Sequence, residues 1–261
     1  MTQVLGIDAG NFETKVIHSK GYDCFQSSIG EWRDRTVTDK HSLQDMEFKI
    51  VNQYDHYKGF AGPLANVESE YGGTVFGLSK NHRDAITRVL LAIWRNIEGN
   101  SVKIVVGQPY SSHTEDEKLD IISALKGKHT VTINDKTKEF IIEDVRVGIE
   151  GAMSFLVDPI GGAVNLIDVG SGTINCIHFL NKKIVDRKCN TLPFGSETSK
   201  DGVNFEGMAN GIFRNMSSVW NKNDQTIVTG GSAKYIIEPL KKYYTTSKVI
   251  DSRANINGIS V

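Results

Sequence analysis

Two aspartates, Asp8 and Asp168, stand at the ends of apolar runs, each two residues before a glycine, Gly10 and Gly170. The match is longer than the triplet. At an offset of 160, Val4, Ile7, Asp8, Gly10, Ile17 and His18 reappear as Val164, Ile167, Asp168, Gly170, Ile177 and His178. A loop that approaches a polyphosphate must present backbone N–H groups at close range. Glycine permits this, having no Cβ and tolerating positive φ. "DAGNFETK" supplies Gly10, Asn11, Thr14 and Lys15, and "DVGSGTIN" supplies Gly170, Ser171, Gly172 and Thr173. A carboxylate aimed at phosphate repels it unless Mg2+ lies between them, usually keeping several waters. Asp8 and Asp168 are therefore expected to hold hydrated Mg2+ and orient water, and Lys15 to direct its ammonium toward a β-phosphate. One Asp-x-Gly is ordinarily only a turn. Two in the same register imply a duplicated α/β unit whose turns face each other across a cleft.

A third segment, "IVTGGSAKYI", reads as strand, two glycines and a helix start. Gly230 and Gly231 would let an adenine or a ribose lie flat, and Ser232 opens a helix whose positive end can face phosphate. Other nucleotide motifs are absent: the sequence has no GxxxxGK[ST] and no GxGxxG.

Several elements must position these turns. Residues 4–8, 14–19 and 22–28 read as an antiparallel meander. Residues 31–75 look polar and irregular, a small exposed insertion carrying Trp32, Tyr54, Tyr57 and Phe60. Residues 81–97 form an amphipathic helix with Ile86, Val89, Leu90, Ile93 and Ile97 on one stripe. A strand at 102–106 ends in "GQPY". Thr114 opens a helix with Glu117 as its capping-box partner, and Gly127 closes it. Residues 131–133 and 140–145 bracket a hairpin, and 148–156 form a short helix. The second Asp-x-Gly strand follows, then a strand at 183–188 and a helix through Phe205, Met208, Ile212, Met216 and Val219. A strand at 226–229 leads to a helix from Ala233 that Pro239 limits.

Composition narrows the classes. The 261 residues are 39% hydrophobic and 23% charged, with formal net charge −1. That fits a globular chain and gives no bulk electrostatic footprint for direct nucleic-acid binding. The basic strip Lys182, Lys183, Arg187 and Lys188 reads as a solvated edge strand. No apolar stretch approaches the roughly 20 residues that span a bilayer. The N-terminal apolar run, broken by Asp8, does not read as a signal peptide, and Cys24, Cys176 and Cys189 are scattered packing residues. A cytoplasmic location is expected.

With these segments in this order, the chain resembles the actin/Hsp70/sugar-kinase superfamily. Within it the chain is most similar to bacterial actin-like plasmid segregation proteins of the ParM family. "VVGQPYSSHTEDEKLDIISALKGKHTVTIN", "VRVGIEGAMSFLVDP" and "RANINGIS" carry that likeness. The resemblance implies two RNase H-like α/β domains with a nucleotide, ATP or GTP, between them. Residues 6–15, Phe12 included, would be the phosphate-1 motif, 166–175 phosphate-2 and 228–232 the adenosine motif. Connecting helices would lie near 148–155 and 252–259, and Glu150 on the first would polarise the attacking water. Domain I would be 1–155, with insertion subdomain IB at about 31–75 and residues 245–261 packing back onto it. Domain II would be 156–244. Only 62 residues separate Asp168 from Gly230, so subdomain IIB is expected to be missing or reduced, as in the short AlfA form. Gln108 replaces a leucine of the pattern, a change expected to alter packing alone. The family pattern also continues with a closing helix beyond Val261.

The family implies a nucleotide-dependent homopolymer that hydrolyses ATP and moves plasmid DNA through a DNA-binding adaptor at a centromere, with no membrane involved. Two alternatives stand beside it. One is a small-molecule kinase of the type III pantothenate kinase kind, although that family's "GADR"-like motif is absent. The other is a nucleotide-gated scaffold that does not hydrolyse.

Overall fold

A computed structural model describes residues 2–38, 42–53, 55–74, 77–198 and 202–250. The chain opens with the expected meander: β1 (Gln3–Ala9), β2 (Glu13–His18) and β3 (Gly21–Gln26). β4 (Ile29–Glu31), β5 (Met46–Asn52) and β6 (His56–Ala61) follow, then α1 (Pro63–Glu68), α2 (Arg83–Asn96), β7 (Ser101–Gln108) and α3 (Glu115–Leu125). β8 (Gly127–Ile133) and β9 (Lys136–Ile149) make a hairpin. Its two-residue turn places Asn134 and Asp135 at positive φ, the conformation that matches strand twist. α4 (Ala152–Val157) leads to β10 (Ala163–Val169), β11 (Ile174–Leu180), β12 (Lys183–Ile184) and β13 (Asn190–Leu192). α5 (Phe205–Met216), β14 (Gln225–Thr229), α6 (Ala233–Lys241) and β15 (Lys248–Val249) complete the described chain.

Two mixed sheets result. The first runs β3-β2-β1-β7-β9-β8-β5-β6-β4 and the second β12-β11-β10-β14-β15, with β13 also on β11. The sequence repeat is a repeat of topology. β1 pairs antiparallel with β2 and parallel with β7, and β10 pairs antiparallel with β11 and parallel with β14. Even the registers coincide: Asp8 lies opposite Lys15, and Asp168 opposite Asn175.

Apolar burial fixes the layers. Leu5, Ile7, Ile104 and Val106 of the first sheet are buried with Val89, Leu90 and Ile93 of α2. α2 starts where His82 accepts a hydrogen bond from Ala85 N–H through Nδ1, with Asp84 in the first turn and Arg95 in the last. β10 is buried along almost its whole length because helices cover both faces. α5 and α6 lie on one face with Val169, Cys176 and Val228. On the other, α4 places Phe155 against Phe179 at 4.0 Å between ring centroids. α4 therefore carries the chain out of the first sheet and into the core of the second.

Three expectations differ from what is found. The 31–75 insertion is not a loose appendage: β5 pairs with β8 and extends the first sheet. Met46, Phe48 and Ile50 point inward at every second position, Trp32 stacks on buried Phe60, and Tyr57 bonds Thr87 through the hydroxyls. Tyr54 lies outside the described residues. The strand expected at 183–188 is only two residues long, because Asp186–Lys188 turns into a 3-10 helix. The described part of the 245–261 stretch joins the second sheet, not the first. There β15 pairs with β14 and Ile250 N–H bonds Val228 O. The second connecting helix expected near 252–259 lies outside the described residues. Among the described residues, 193–224 hold one helix and no strand, which accounts for the short distance between the second Asp-x-Gly and the Gly-Gly turn.

Candidate functional site

Each Asp-x-Gly turn is tight for the same reason. A Cβ on Gly10 would stand 2.7 Å from Glu13 O, and one on Gly170 2.9 Å from Thr173 O. Gly170 N–H donates to Thr173 O at 3.0 Å, and the first turn is braced by Ser27, whose hydroxyl donates to Gly10 O at 2.6 Å. The turns face each other because β1 and β10 both end at the seam between the sheets.

There they enclose a cavity of about 350 Å³. Asp8, Gly10, Asn11, Phe12 and Lys15 line it from the first half. Asp168, Gly170, Ser171, Gly172 and Thr173 line it from the second, as do Gly230, Gly231 and Ser232. Glu150 is there too, so of the residues put forward for binding and catalysis only Thr14 is missing, its hydroxyl being buried against Ser27. Phe12 is exposed, at 62%. Gly230 has φ +97, and a Cβ there would fall 2.6 Å from Val169 N. Ser232 is the N-cap of α6, makes no side-chain cap bond and lines the cavity.

Glu150 sits in the turn between β9 and α4, two residues before the helix on which it was expected. Its Oε2 accepts a hydrogen bond from Asn175 Nδ2 at 3.3 Å, and Lys80 Nζ is 3.9 Å from its Oε1. The side chain is 14% exposed. Burial pushes its carboxyl up to about 7, Lys80 opposing the rise and the Asp8 and Asp168 charges adding to it. A carboxyl poised near neutrality in a cleft has the profile of a general base. Glu150 and Asp168 are held close by Gly151, where φ is +80 and a Cβ would lie 2.7 Å from the Asp168 Cβ. Gly107 leaves room in turn for the Glu150 stem.

Several contributors were not foreseen. Lys80 lines the cavity and donates to Asn11 Oδ1 at 3.1 Å; no motif marks it in the sequence. Asn175 is oriented by Tyr110 N–H and the Thr191 hydroxyl, both donating to its Oδ1, which leaves Nδ2 for Glu150. Ser196 and Glu197 line the cavity on a loop laid over the second turn, their N–H groups donating to Gly170 O and Ser171 O. Gln108 does more than alter packing. Its buried amide accepts from Lys80 N–H and donates toward Ser112 O and Glu117 Oε2. Glu117, expected to complete a capping box, is used there and on Ser79, while Thr114 still caps α3 by accepting from Glu117 N–H.

The residues lining the cleft could hold a nucleoside triphosphate with Mg2+. Close-approach glycines stand at both turns, and the donors Lys15, Lys80 and the Thr173 hydroxyl face the space between them. Among the described residues no group of three or more His, Cys, Asp or Glu could cage a metal. Two opposed carboxylates instead suit a largely hydrated Mg2+ shared with phosphate.

Comparisons with known proteins agree with this geometry. The model of the actin-like protein N-terminal domain matches residues 6–152, more than half of the chain. Among solved structures, the filament of AlfA from B. subtilis plasmid pLS32 superposes with a TM-score of 0.81 at 18% identity, over 99% of this chain and 98% of that one. An AlfA filament bound to AMPPNP gives 0.77 at 19% identity, over 95% and 89%. Ta0583, an archaeal actin homologue, gives 0.77 at 19% identity, over 99% and 98%. No curated protein sequence matches the chain. The two-sheet architecture, the cleft at its seam and the matching domain together establish that this chain belongs to the actin-like proteins.

Proposed function

We propose that the chain is a cytoplasmic, nucleotide-dependent polymer of the ParM and AlfA kind that binds ATP or GTP with Mg2+ between its two sheets and hydrolyses it. The observation that carries this reading is the convergence of both Asp-x-Gly turns on one cavity with Glu150 between them. Gly10, Asn11, Phe12, Lys15, Gly170, Ser171, Gly172 and Thr173 hold the phosphates, and Gly230, Gly231 and Ser232 hold the nucleoside. Asp8 and Asp168 hold Mg2+ through water, and the ion supplies neutralisation of the phosphate charge. Glu150, ionised and oriented by Asn175, accepts a proton from the water that attacks in line with the γ-phosphate.

Closing the halves on the triphosphate favours one relative orientation of the sheets, and a filament contact complementary to that orientation couples assembly to the nucleotide. Relatives solved as filaments, one with AMPPNP, support this. A segment including Trp32 in the 31–75 region is our candidate for the filament contacts. A DNA-binding adaptor would link the filament to a plasmid centromere.

Sedimentation with ATP, ADP and a non-hydrolysable analogue, read beside phosphate release, tests the reading. ATP-dependent pelleting with phosphate release supports it. Release only with a small acceptor, without pelleting, indicates a kinase, and pelleting without release indicates a scaffold.

A further inference from the structure

Arg88 is the largest fully buried side chain of the described residues, 0% exposed on the inner face of α2. Among the described residues it forms no ion pair, its Nε and Nη2 have no hydrogen-bond partner, and its Nη1 reaches only Gly10 O at 3.4 Å and Asn11 Oδ1 at 3.5 Å, both long. Burial drives its guanidinium down to about 10, against the attraction of Asp84, so it remains a cation at neutral pH. A buried charge without a counter-charge is costly, and folded proteins rarely keep one without a use for it.

The use is legible at Asn11. Lysine and arginine nitrogens are donors only, so the Asn11 atom that faces Lys80 and Arg88 must be its oxygen. Lys80 Nζ at 3.1 Å and Arg88 Nη1 at 3.5 Å thus fix the carboxamide from behind. Asn11 is only 5% exposed, lines the cavity, and leaves its Nδ2 without a partner among the described residues.

We propose that Arg88 and Lys80 are positioning residues that hold the Asn11 carboxamide with its Nδ2 toward the phosphate site, the bound polyphosphate supplying the negative charge that Arg88 lacks. This rests on the nucleotide reading of the cleft. It adds that affinity is set partly from beneath the first turn, by Arg88, which does not line the cavity as Lys15 and Lys80 do. It also gives the empty state a built-in penalty that the ligand relieves.

Thermal unfolding and calorimetric binding of the Mg2+ complex of AMPPNP test it on the unaltered chain, Arg88→Met, Arg88→Lys and Asn11→Asp. Arg88→Met should raise or preserve the unfolding temperature without ligand, because the orphaned charge is gone, yet weaken AMPPNP about tenfold or more. Arg88→Lys should recover part of the affinity. Asn11→Asp gives the two cations a carboxylate, so it should stabilise the empty protein and weaken binding further. If the unaltered chain binds and Arg88→Met and Asn11→Asp bind equally well, the positioning role is wrong and the nucleotide reading stands. If the unaltered chain does not bind, both are wrong.

Discussion

Asn175 on β11 of the second sheet donates a hydrogen bond to Glu150, which hangs from β9 of the first. The acid proposed to activate water is thus held from across the seam. Its alignment depends on both halves at once, so hydrolysis should be sensitive to how far the halves have closed.

Replacing Glu150 by Gln keeps the shape and the bond from Asn175 within reach but removes the base. Phosphate release should fall by about 10²–10⁴-fold. Assembly with ATP should persist and disassembly should slow, as seen by pairing light scattering with phosphate release. Normal turnover in the variant would return Glu150 to a structural role.

The raised Glu150 carboxyl has opposite effects on activity and stability. As a base it must be ionised, so turnover should rise with pH through about 7. Its folded value lies above its unfolded one, so its contribution to stability is present at low pH and lost as pH rises from about 4.5 toward 7. Chemical denaturation of the nucleotide-free chain across that window, compared with Glu150→Gln, isolates the effect. The difference between the two proteins should shrink as the solution is acidified.

Gly151→Ala should be among the most damaging single-methyl changes. It forces a Cβ onto a residue at φ +80 and drives it toward the Asp168 side chain, 2.7 Å away. We expect a loss of about 1–3 kcal/mol in stability, together with loss of nucleotide binding, measured by denaturant melts and calorimetry.

Gln108→Leu restores the residue of the family pattern, yet it should destabilise. Lys80 N–H would lose its partner in a buried setting, and Glu117 Oε2 would keep only the Ser79 hydroxyl, at about 1–3 kcal/mol. Thr114→Ala, which removes only the α3 cap, should cost about 1 kcal/mol and leave AMPPNP affinity unchanged.

Much of the site was legible because duplication marks it: an Asp-x-Gly repeated in register identifies both turns, and the third glycine pair follows in order. The buried strands β1, β7 and β10 were legible as mostly apolar runs, interrupted by Lys103 in β7 and Asn165 in β10. The contributors that escaped are long-range. Lys80 reaches Asn11 across 69 positions of sequence, and Asn175 meets Glu150 only because two separate sheets adjoin. Nothing local encodes such meetings. β5 is a different case. Met46, Phe48 and Ile50 alternate as a half-buried strand should, but the polar residues around them drowned the period in a wider window. Gln108 reads as an anomaly in a sequence pattern and makes sense only once Glu117 and Lys80 are seen beside it.

The route of the chain through α4 has a mechanical corollary. Phe155 is anchored among the apolar residues of the second sheet, while β9 is stitched into the first, so turning one half against the other concentrates backbone rotation near Gly151. That pivot stands beside Asp168, at the proposed reaction centre. The arrangement is that of shears riveted at the blades' meeting point: were the halves to turn about it, groups near the rivet would shift least and the outlying strands β4 and β12 most. On the proposed nucleotide reading, a tiny adjustment around phosphate would thereby be magnified at the molecule's rim, where a neighbouring subunit could sense it.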